Sequence, residues 1–536
     1  MKNLHAHYVS LHNIKVKTPF KLILEEINIS VHQGQKIGLI GNNGSGKTTL
    51  LKIINQTQSI SEGKLESYGT IWYLPQLNLE LFQSKQNLSE YLSKALDEWW
   101  GVIEILEKKY RLIVDTTKNL NQFSGGELVK IHISMAEAIN PDVLLMDEPN
   151  NHLDIDSQII FQNFIKAYEK SVIVASHNVY FLNQVVNRIW ELDKCLIREF
   201  GGNYDFYQEQ KNLEEQAKLR KFELALKRKS KLNRSITIEN TRFERNKAFA
   251  KKLKQDRDRG ISRMDKGYFK SKSQVRAGQK QIMFQKRVEQ NQENLDMYKP
   301  DINPYIKYDM ISNKDFSGKH IVEIRKGYIS INENSLISNL NLDIEYGERI
   351  VILGKNGVGK TTLLKSMQDN NKEYLTGDIS KSINARIEYI SQNYDLVDPN
   401  QTLIENMKRY NPKASLNSIR NRLRDFLFFE EEQVNKYSKE LSGGETARLA
   451  FAMITLNSVE AILLDEPTNN LDINAKNSIL NSLVNFPGSV IIISHDIDFL
   501  SKLGINTTYI IKDSALSKVE LDYKEDNILD KIQEII

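Results

Sequence analysis

The stretch that decides the fold is GNNGSGKT at residues 41–48, which returns as GKNGVGKT at residues 354–361. Each copy follows a short β-branched run, KIGLI or RIVIL, and precedes the helix-forming run TTLLK. Glycines at these positions let backbone amides turn toward a phosphate, and the N-terminus of the following helix adds positive potential. The sequence therefore predicts two phosphate-binding loops, each between a strand and a helix.

Three further motifs recur in the same order, so the chain contains two copies of one domain. FSGGE at 123–127 returns as LSGGE at 441–445, and LLMDEPNNHLD at 144–154 returns as ILLDEPTNNLD at 462–472. VIVASHNVYFL at 172–182 returns as VIIISHDIDFL at 490–500. The offset is 313 residues for the phosphate loops and 318 for the other three pairs. A repeat at nearly constant spacing indicates tandem domains.

The motifs also predict the fold class. DVLLMDE, EAILLDE, SVIVASH and SVIIISH are apolar runs that end in an acid or a histidine, and helical segments separate them. Strands that alternate with helices favour an α/β fold with a parallel sheet, whose ligands lie at the carboxyl ends of the strands. We therefore predict two α/β P-loop domains in tandem.

The chemistry of these motifs indicates that the chain binds a nucleoside triphosphate and a metal ion. Lys47 and Lys360 would reach the terminal phosphates, and the carboxylates of Asp147 and Asp465 are suited to hold Mg²⁺. The acids that follow them, Glu148 and Glu466, are predicted to polarise the attacking water. His177 and His495 are predicted to contact the γ-phosphate, and Thr48, Gln76, Thr361 and Gln392 complete the predicted metal ligands.

This set of motifs resembles that of the ABC ATPases, in which SGGE is the signature. The resemblance implies that the two copies pair head to tail and hold two ATP molecules at their seam, each phosphate loop facing the signature of the other copy. The ATP-binding residues it implies in the first copy are Gly41, Asn42, Asn43, Gly44, Ser45, Gly46, Lys47, Thr48, Thr49, Gln76, Ser124, Gly125 and Gly126. Those in the second copy are Gly354, Lys355, Asn356, Gly357, Val358, Gly359, Lys360, Thr361, Thr362, Gln392, Ser442, Gly443 and Gly444. The copies differ after the histidine, where Asn178 corresponds to Asp496, so we expect unequal turnover at the two sites.

Composition indicates the cell compartment of the protein and an uneven distribution of charge along the chain. The 536 residues carry a net charge of +4, contain one cysteine, and include no apolar run long enough to cross a bilayer and no secretory signal. We therefore expect a cytoplasmic protein without a membrane domain.

Residues 211–290 contain 25 Lys and Arg against 9 Asp and Glu, a net charge of +16, which leaves −12 for the remainder. This asymmetry favours a polyanionic partner for the middle of the chain.

The basic segment is predicted to form a helical hairpin between the two copies. Helix-forming residues dominate from 203 to 300, and Gly260 and Gly267 interrupt them. A solvated surface hairpin without a partner is the alternative, but interleaved aromatic side chains favour structured nucleic acid. The residues predicted to bind it, as RNA if the family resemblance given next holds, are Lys251, Lys252, Lys254, Arg257, Arg259, Arg263, Lys266, Tyr268, Phe269, Lys270 and Lys272.

Tandem copies joined by such a hairpin, with GNY leading into it at 202–204, resemble the ABC-F proteins. The gap of 48 residues between Gln76 and Ser124 and the long connector resemble the antibiotic-resistance branch of Vga-, Lsa- and Sal-like ribosomal protection proteins. The resemblance implies a monomer that binds large-subunit rRNA and the P-site tRNA and displaces lincosamide, streptogramin A or pleuromutilin drugs. A housekeeping translation factor, the ATPase subunit of a drug exporter and a DNA-directed ATPase are the alternatives.

These inferences divide the chain into four predicted parts. The first ABC domain spans residues 1–202, the linker 203–300 and the second ABC domain 301–518. Residues 519–536 form a C-terminal extension, either a short helix or a frayed tail.

Overall fold

The computed structural model describes residues 7–19, 21–74, 84–150, 153–255, 283–284, 286–299, 319–331, 334–368, 375–469, 471–525 and 527–535. These residues form two compact units, one from both ABC copies (up to 205 and from 304) and one from residues 206–303. Within the described ranges, every helix falls short of the apolar length that a bilayer crossing requires.

The first copy alternates strands and helices as predicted. Its strands are β1 (Val9–Lys17), β2 (Leu22–Val31), β3 (Lys36–Ile40), β4 (Glu62–Ser67), β5 (Ile71–Leu74), β6 (Val143–Asp147), β7 (Ser171–Ala175), β8 (Arg188–Asp193) and β9 (Leu196–Gly201). Its helices are α1 (Lys47–Ile54), α2 (Leu88–Ala95), α3 (Trp100–Tyr110), α4 (Gly125–Ile139), α5 (Ile155–Ala167) and α6 (Val179–Val185).

The second copy repeats this order. Its strands are β10 (His320–Ile331), β11 (Asn334–Glu345), β12 (Arg349–Gly354), β13 (Leu375–Lys381), β14 (Ile387–Ile390), β15 (Ala461–Asp465), β16 (Ser489–Ile493), β17 (Thr507–Lys512) and β18 (Ala515–Val519). Its helices are α9 (Lys360–Gln368), α10 (Leu403–Tyr410), α11 (Leu416–Asp425), α12 (Glu431–Val434), α13 (Gly443–Ile454), α14 (Ile473–Val484), α15 (Ile497–Leu503) and α16 (Ile528–Ile535). Single 3₁₀ turns at Leu120–Gln122 and Ser438–Glu440 precede the two SGGE helices.

Each copy is built on a six-stranded sheet, and the two sheets have the same strand order. The order is β5-β6-β7-β3-β8-β9 in the first copy and β14-β15-β16-β12-β17-β18 in the second. All neighbouring strands are parallel except the antiparallel edge pairs β8–β9 and β17–β18. The predicted fold class, tandem α/β ATPase domains with parallel sheets, is therefore confirmed.

The strand order explains how distant motifs meet. β3 lies beside β7, and β7 lies beside β6, so the phosphate loop, the acidic pair and the histidine all follow the same edge of the sheet. The central strands β6 and β7 are fully buried, which matches their apolar sequences. A smaller antiparallel sheet, β2-β1-β4, shares an apolar core with β3, β6 and β7 and with the buried face of α1.

The connector consists of a 52-residue helix, α7 (Tyr204–Gln255), and a second helix, α8 (286–298). The helices pack at Ala225, whose carbonyl accepts a hydrogen bond of 3.1 Å from the buried Asn291 side chain. Lys229 Nζ donates to Gln292 Oε1 at 3.1 Å, and Lys221 lies over the ring of Tyr298. The predicted tip from Arg257 to Lys272 lies outside the described residues.

The C-terminal extension ends in a helix, which settles the alternative left open by the sequence. Ile528, Leu529 and Ile532 of α16 are buried in one apolar cluster with Ile155 and Ile159 of α5. The last helix of the second copy thus packs against a helix of the first.

Candidate nucleotide sites

Each phosphate loop is closed around the side chain of its own lysine. Lys47 Nζ donates to the carbonyl oxygens of Gly41 at 2.8 Å and Asn42 at 3.3 Å. Lys360 Nζ donates to those of Gly354 at 2.6 Å and Lys355 at 2.9 Å. The ammonium groups are therefore held at the mouth of a loop whose amides can receive phosphate oxygens.

Glycine is required where the loop enters the helix. Gly46 has a φ of +110°, a backbone conformation that L-residues rarely adopt. A Cβ atom at this position would lie 2.8 Å from Ile23 Cγ2 of strand β2. The small sheet therefore presses directly on the loop, and only glycine leaves room for the turn.

The first acid of each pair accepts a hydrogen bond from a neighbouring hydroxyl group. Thr48 Oγ1 donates to Asp147 Oδ2 at 2.6 Å in the first copy. The hydroxyl group of Tyr389 donates to Asp465 Oδ2 at 3.1 Å in the second. A threonine hydroxyl and a carboxylate are the oxygen ligands that Mg²⁺ prefers, and the Thr48–Asp147 pair fits that ion.

The second acid turns away from the strand and toward the histidine. Glu148 and Glu466 both have a φ of +47°, in the left-handed region that non-glycine residues seldom occupy. Glu148 Oε2 accepts from the backbone N–H of His177 at 3.2 Å, and its Oε1 lies 3.3 Å from His177 Nε2. His495 Nε2 lies 3.3 Å from Glu466 Oε1 in the same arrangement. The strained turn thus aims each glutamate across the ends of two strands.

Burial controls the protonation of these groups. Burial raises the pKa of Glu148 to about 7, although the ammonium of Lys47 opposes this shift. Burial also raises the pKa of Glu466 to about 8, with Lys360 opposing. The pKa of His177 is lowered well below its usual range by burial and then by Lys47, so the imidazole is neutral near pH 7. A carboxylate that titrates near neutral pH is suited to proton transfer from a water molecule.

The two copies meet through the loops that follow the acidic strands. The backbone N–H of Asn43 donates to Asp472 Oδ2 at 3.2 Å, and Asn474 Nδ2 donates to Asn42 Oδ1 at 2.8 Å. In the other direction, Lys355 Nζ lies 3.7 Å from Asp156 Oδ2. Each phosphate loop is therefore contacted by the opposite copy, which the sequence predicted only for SGGE.

The SGGE residues begin helices α4 and α13. Ser124 Oγ accepts from the backbone N–H of Glu127 at 3.3 Å, while the Glu127 carboxylate accepts from Ser124 N at 2.7 Å. Ser442 and Glu445 repeat this capping box. The box fixes the start of each helix, whose N-terminal amides can bind an anion. Their pairing with ATP across the seam remains a prediction.

Most of the phosphate-loop residues and the acidic pairs line two pockets, one per copy, whereas Ser124–Gly126, Ser442–Gly444 and His177 line neither, and His495 lines a cavity between the copies. The first, hereafter the first nucleotide site, is lined by Asn43, Gly44, Gly46, Lys47, Thr48, Thr49, Asp147 and Glu148. The second nucleotide site is lined by Asn356, Gly357, Gly359, Lys360, Thr361, Thr362, Gln392, Asp465 and Glu466. Gln76 lies outside the described residues, as does the side-chain placement of Lys251, Lys252 and Lys254.

Sequence reasoning missed side chains that no motif marks. Thr18, Lys21 and Ile23 also line the first nucleotide site, and Ile331 and Leu336 line the second. Thr18 and Lys21 lie between β1 and β2, and Ile23 lies in β2, whereas Ile331 and Leu336 lie in β10 and β11. The packing of these antiparallel strand pairs on the phosphate loops brings the side chains into the sites.

Comparisons with known proteins agree with this architecture. The ABC transporter family model matches residues 24–151 and 337–469, one match in each copy. The ATP-binding protein Uup of Buchnera aphidicola is 28% identical over 529 residues, which cover 96% of this chain and 82% of that protein. The ribosome protection protein VmlR of Bacillus subtilis is 28% identical over 512 residues, which cover 95% of this chain and 88% of that protein.

A solved structure shows the same fold. The archaeal ribosome recycling factor aABCE1 superposes with a TM-score of 0.62 at 18% sequence identity, over 94% of this chain and 89% of that one. At this level of identity the likeness concerns the fold. The chain thus contains two ABC-type ATPase domains in tandem, and along nearly its whole length it is similar to Uup and VmlR.

Proposed function

We propose that this chain binds the ribosome in the cytoplasm and protects it from antibiotics that act at the peptidyl-transferase centre. The observation that carries the proposal is the net charge of +16 in residues 211–290, placed between two ATPase copies. Such a segment neutralises phosphates at close range, and structured RNA offers them at high density. The likeness to VmlR over nearly the whole chain supports the same partner.

In the proposed cycle, ATP binding pairs the two copies and hydrolysis releases them. Lys47 and Lys360 bind the terminal phosphates, and Ser124–Gly126 and Ser442–Gly444 donate to them from the opposite copy. Thr48 and Asp147, with Gln76, hold Mg²⁺ in the first nucleotide site. Thr361, Gln392 and Asp465 do so in the second. When bound, the ion neutralises phosphate charge that develops during transfer.

Glu148 and Glu466 accept the proton of the attacking water in this proposal. Their raised pKa values place them near neutrality, where a carboxylate can take a proton and return it. His177 and His495 hold the two glutamates from the next strand and contact the γ-phosphate. Pairing of the copies drives the hairpin tip toward the P-site tRNA, and drug leaves when the nucleotides of its pocket shift.

The test is in vitro translation arrested by a lincosamide, a streptogramin A or a pleuromutilin, with purified protein added. We expect the wild-type chain to restore synthesis. A tip variant with three charges removed, Arg257→Gln, Arg259→Gln and Arg263→Gln, should lose most of the rescue and keep its ATPase activity.

The matched control removes three charges near the base of the same hairpin, through Lys218→Gln, Arg220→Gln and Lys227→Gln. We expect this variant to rescue translation more strongly than the tip variant. Equal rescue by the tip variant and the wild type would contradict the proposed role of the tip.

A housekeeping translation factor is the second candidate, because Uup is as similar to this chain as VmlR is. The two roles are separated by growth after gene deletion. A resistance factor should matter only when drug is present, whereas a housekeeping factor should matter without it. Intracellular drug accumulation tests the exporter alternative, since an exporter lowers it and a ribosome protector does not.

A further inference from the structure

One lysine contacts the segment that follows β7 in the first copy and the segment that follows β16 in the second. Lys476 lies in the first turn of α14, and its side chain is only 14% exposed. Its Nζ donates to Asp496 Oδ2 at 2.7 Å within the second copy. The same Nζ donates to the backbone carbonyl of His177 at 3.1 Å in the first copy. A single ammonium therefore joins the residue after His495 to the histidine of the first nucleotide site.

Each end of this connection is fixed by other contacts. Asp496 caps α15, because its Oδ1 accepts from the backbone N–H of Phe499 at 3.2 Å. The imidazole of His177 lies 3.1 Å from Lys47 Nζ and 3.3 Å from Glu148. A displacement of α15 would thus be transmitted through Lys476 to the group that holds the proposed catalytic carboxylate of the first nucleotide site.

The corresponding residues of the first copy make different contacts. Gln158 occupies the position that corresponds to Lys476, and its Nε2 donates to the carbonyl of Leu153 at 3.1 Å, in the loop of its own copy. Asn178, which corresponds to Asp496, caps α6 by accepting from Phe181 N at 2.9 Å. The first copy therefore has a neutral pair where the second has an ion pair, and the amide of Gln158 is turned inward.

The position of Lys476 between the sites is also visible in the seam. It lines a cavity together with Glu466 and His495 of the second nucleotide site and with Gln158 and Asn178 of the first copy. A buried lysine needs a counter-charge, and Asp496 supplies it. The ion pair with Asp496 orders the Lys476 side chain and so holds its contact with the His177 carbonyl in place.

We infer that Lys476 is a positioning residue that couples the nucleotide sites in one direction. It connects Asp496, which follows His495 in the second copy, to His177 at the first nucleotide site. The inference uses the proposed catalytic roles of Glu148 and Glu466 and does not depend on the ribosome. Loss of Lys476 should slow the first site and spare the second.

The experiment measures ATP turnover one site at a time. A Glu466→Gln background leaves the first site active, and a Glu148→Gln background leaves the second. In the first background, Lys476→Gln should lower kcat roughly tenfold with little change in KM, because it misplaces a positioned group without touching the phosphate loop. In the second background, kcat should stay within about twofold. In the first background, Lys476→Arg in place of Lys476→Gln should avoid much of the loss.

Two further variants separate positioning from misfolding. The double variant Lys476→Gln, Asp496→Asn carries the same neutral residues as the first copy, so no buried charge is left without a counter-charge. Its turnover at the first site should be as slow as that of Lys476→Gln alone. Gln158→Ala, the matched change in the first copy, should leave turnover of the otherwise wild-type chain within about twofold. Equal losses in both backgrounds, or none in either, would overturn the inference.

The proposed catalytic carboxylates are checked independently. If ATP turnover persists in the Glu148→Gln, Glu466→Gln double variant, the two glutamates are not the catalytic carboxylates. The role of Lys476 is then tested in the otherwise wild-type chain. There, Lys476→Gln must lower kcat and Gln158→Ala must not. If both changes act alike, the one-way connection is wrong.

Discussion

At the scale of single residues, the fold determines the environment of the two glutamates proposed as proton acceptors. A left-handed turn after a buried strand directs each carboxylate to a buried position beside the histidine that follows the next strand, and burial raises its pKa. The neighbouring lysine opposes the shift without cancelling it. The result is a group close to its midpoint at the pH of a cell, in each of two sites.

This environment predicts a pH-dependent stability of the nucleotide-free protein. Because the folded pKa of Glu466 is about 8, the folded chain keeps a proton that the unfolded chain releases above its usual pKa. The contribution of Glu466 is therefore full at low pH and is lost as the pH rises toward 8. Glu466→Gln cannot ionise, so its melting temperature relative to the wild type should increase from pH 6 to pH 9.

Glu148→Gln is the matched comparison. The pKa of Glu148 is about 7, so its relative gain in melting temperature should level off about one pH unit earlier. Thermal melts in a series of buffers measure both curves. A difference between Glu466→Gln and the wild type that is independent of pH would show that the carboxylate is not buried as described.

At the scale of elements, the C-terminal helix α16 joins the two copies by apolar contact. Ile532 is fully buried in a cluster that contains Ile155 and Ile159 of α5. Truncating a buried isoleucine removes transfer free energy and leaves a cavity, at a typical cost of about 2–5 kcal/mol. Ile532→Ala should therefore lower the midpoint of urea denaturation.

Ile383→Ala is the control for this change, because Ile383 is 100% exposed and loses nothing when it is truncated. Its effect should be within about 0.5 kcal/mol. Equal midpoints for the two variants would mean that α16 does not pack against α5 in solution.

The elements also show how far sequence reasoning reaches. The strands before Lys47, Asp147 and His177 were predictable because each is an apolar run that leads into a glycine-rich turn or a polar residue at a fixed place in a repeated motif. The contact of Lys476 with His177 was not, because it depends on how two copies dock. The packing of α16 was left open for the same reason, since an amphipathic segment does not specify its partner.

At the scale of the whole molecule, two ATPase copies of equal fold carry unequal contacts across their seam. The sequence predicted this inequality from Asn178 and Asp496 but gave it no direction. In the structure, Lys476 pairs with Asp496 and also contacts His177 at the first nucleotide site. Gln158 instead donates a hydrogen bond to Leu153 of its own copy. Differences of this kind allow one site to sense the other.

The central claim is that ATP holds the two copies together in the state that binds the ribosome. The most direct measurement is co-sedimentation with ribosomes in the presence of ATP, for the wild type and for the Glu148→Gln, Glu466→Gln double variant. Because the variant should bind ATP without hydrolysing it, we predict that it pellets with ribosomes more strongly than the wild type. Equal or weaker pelleting of the variant would contradict the account.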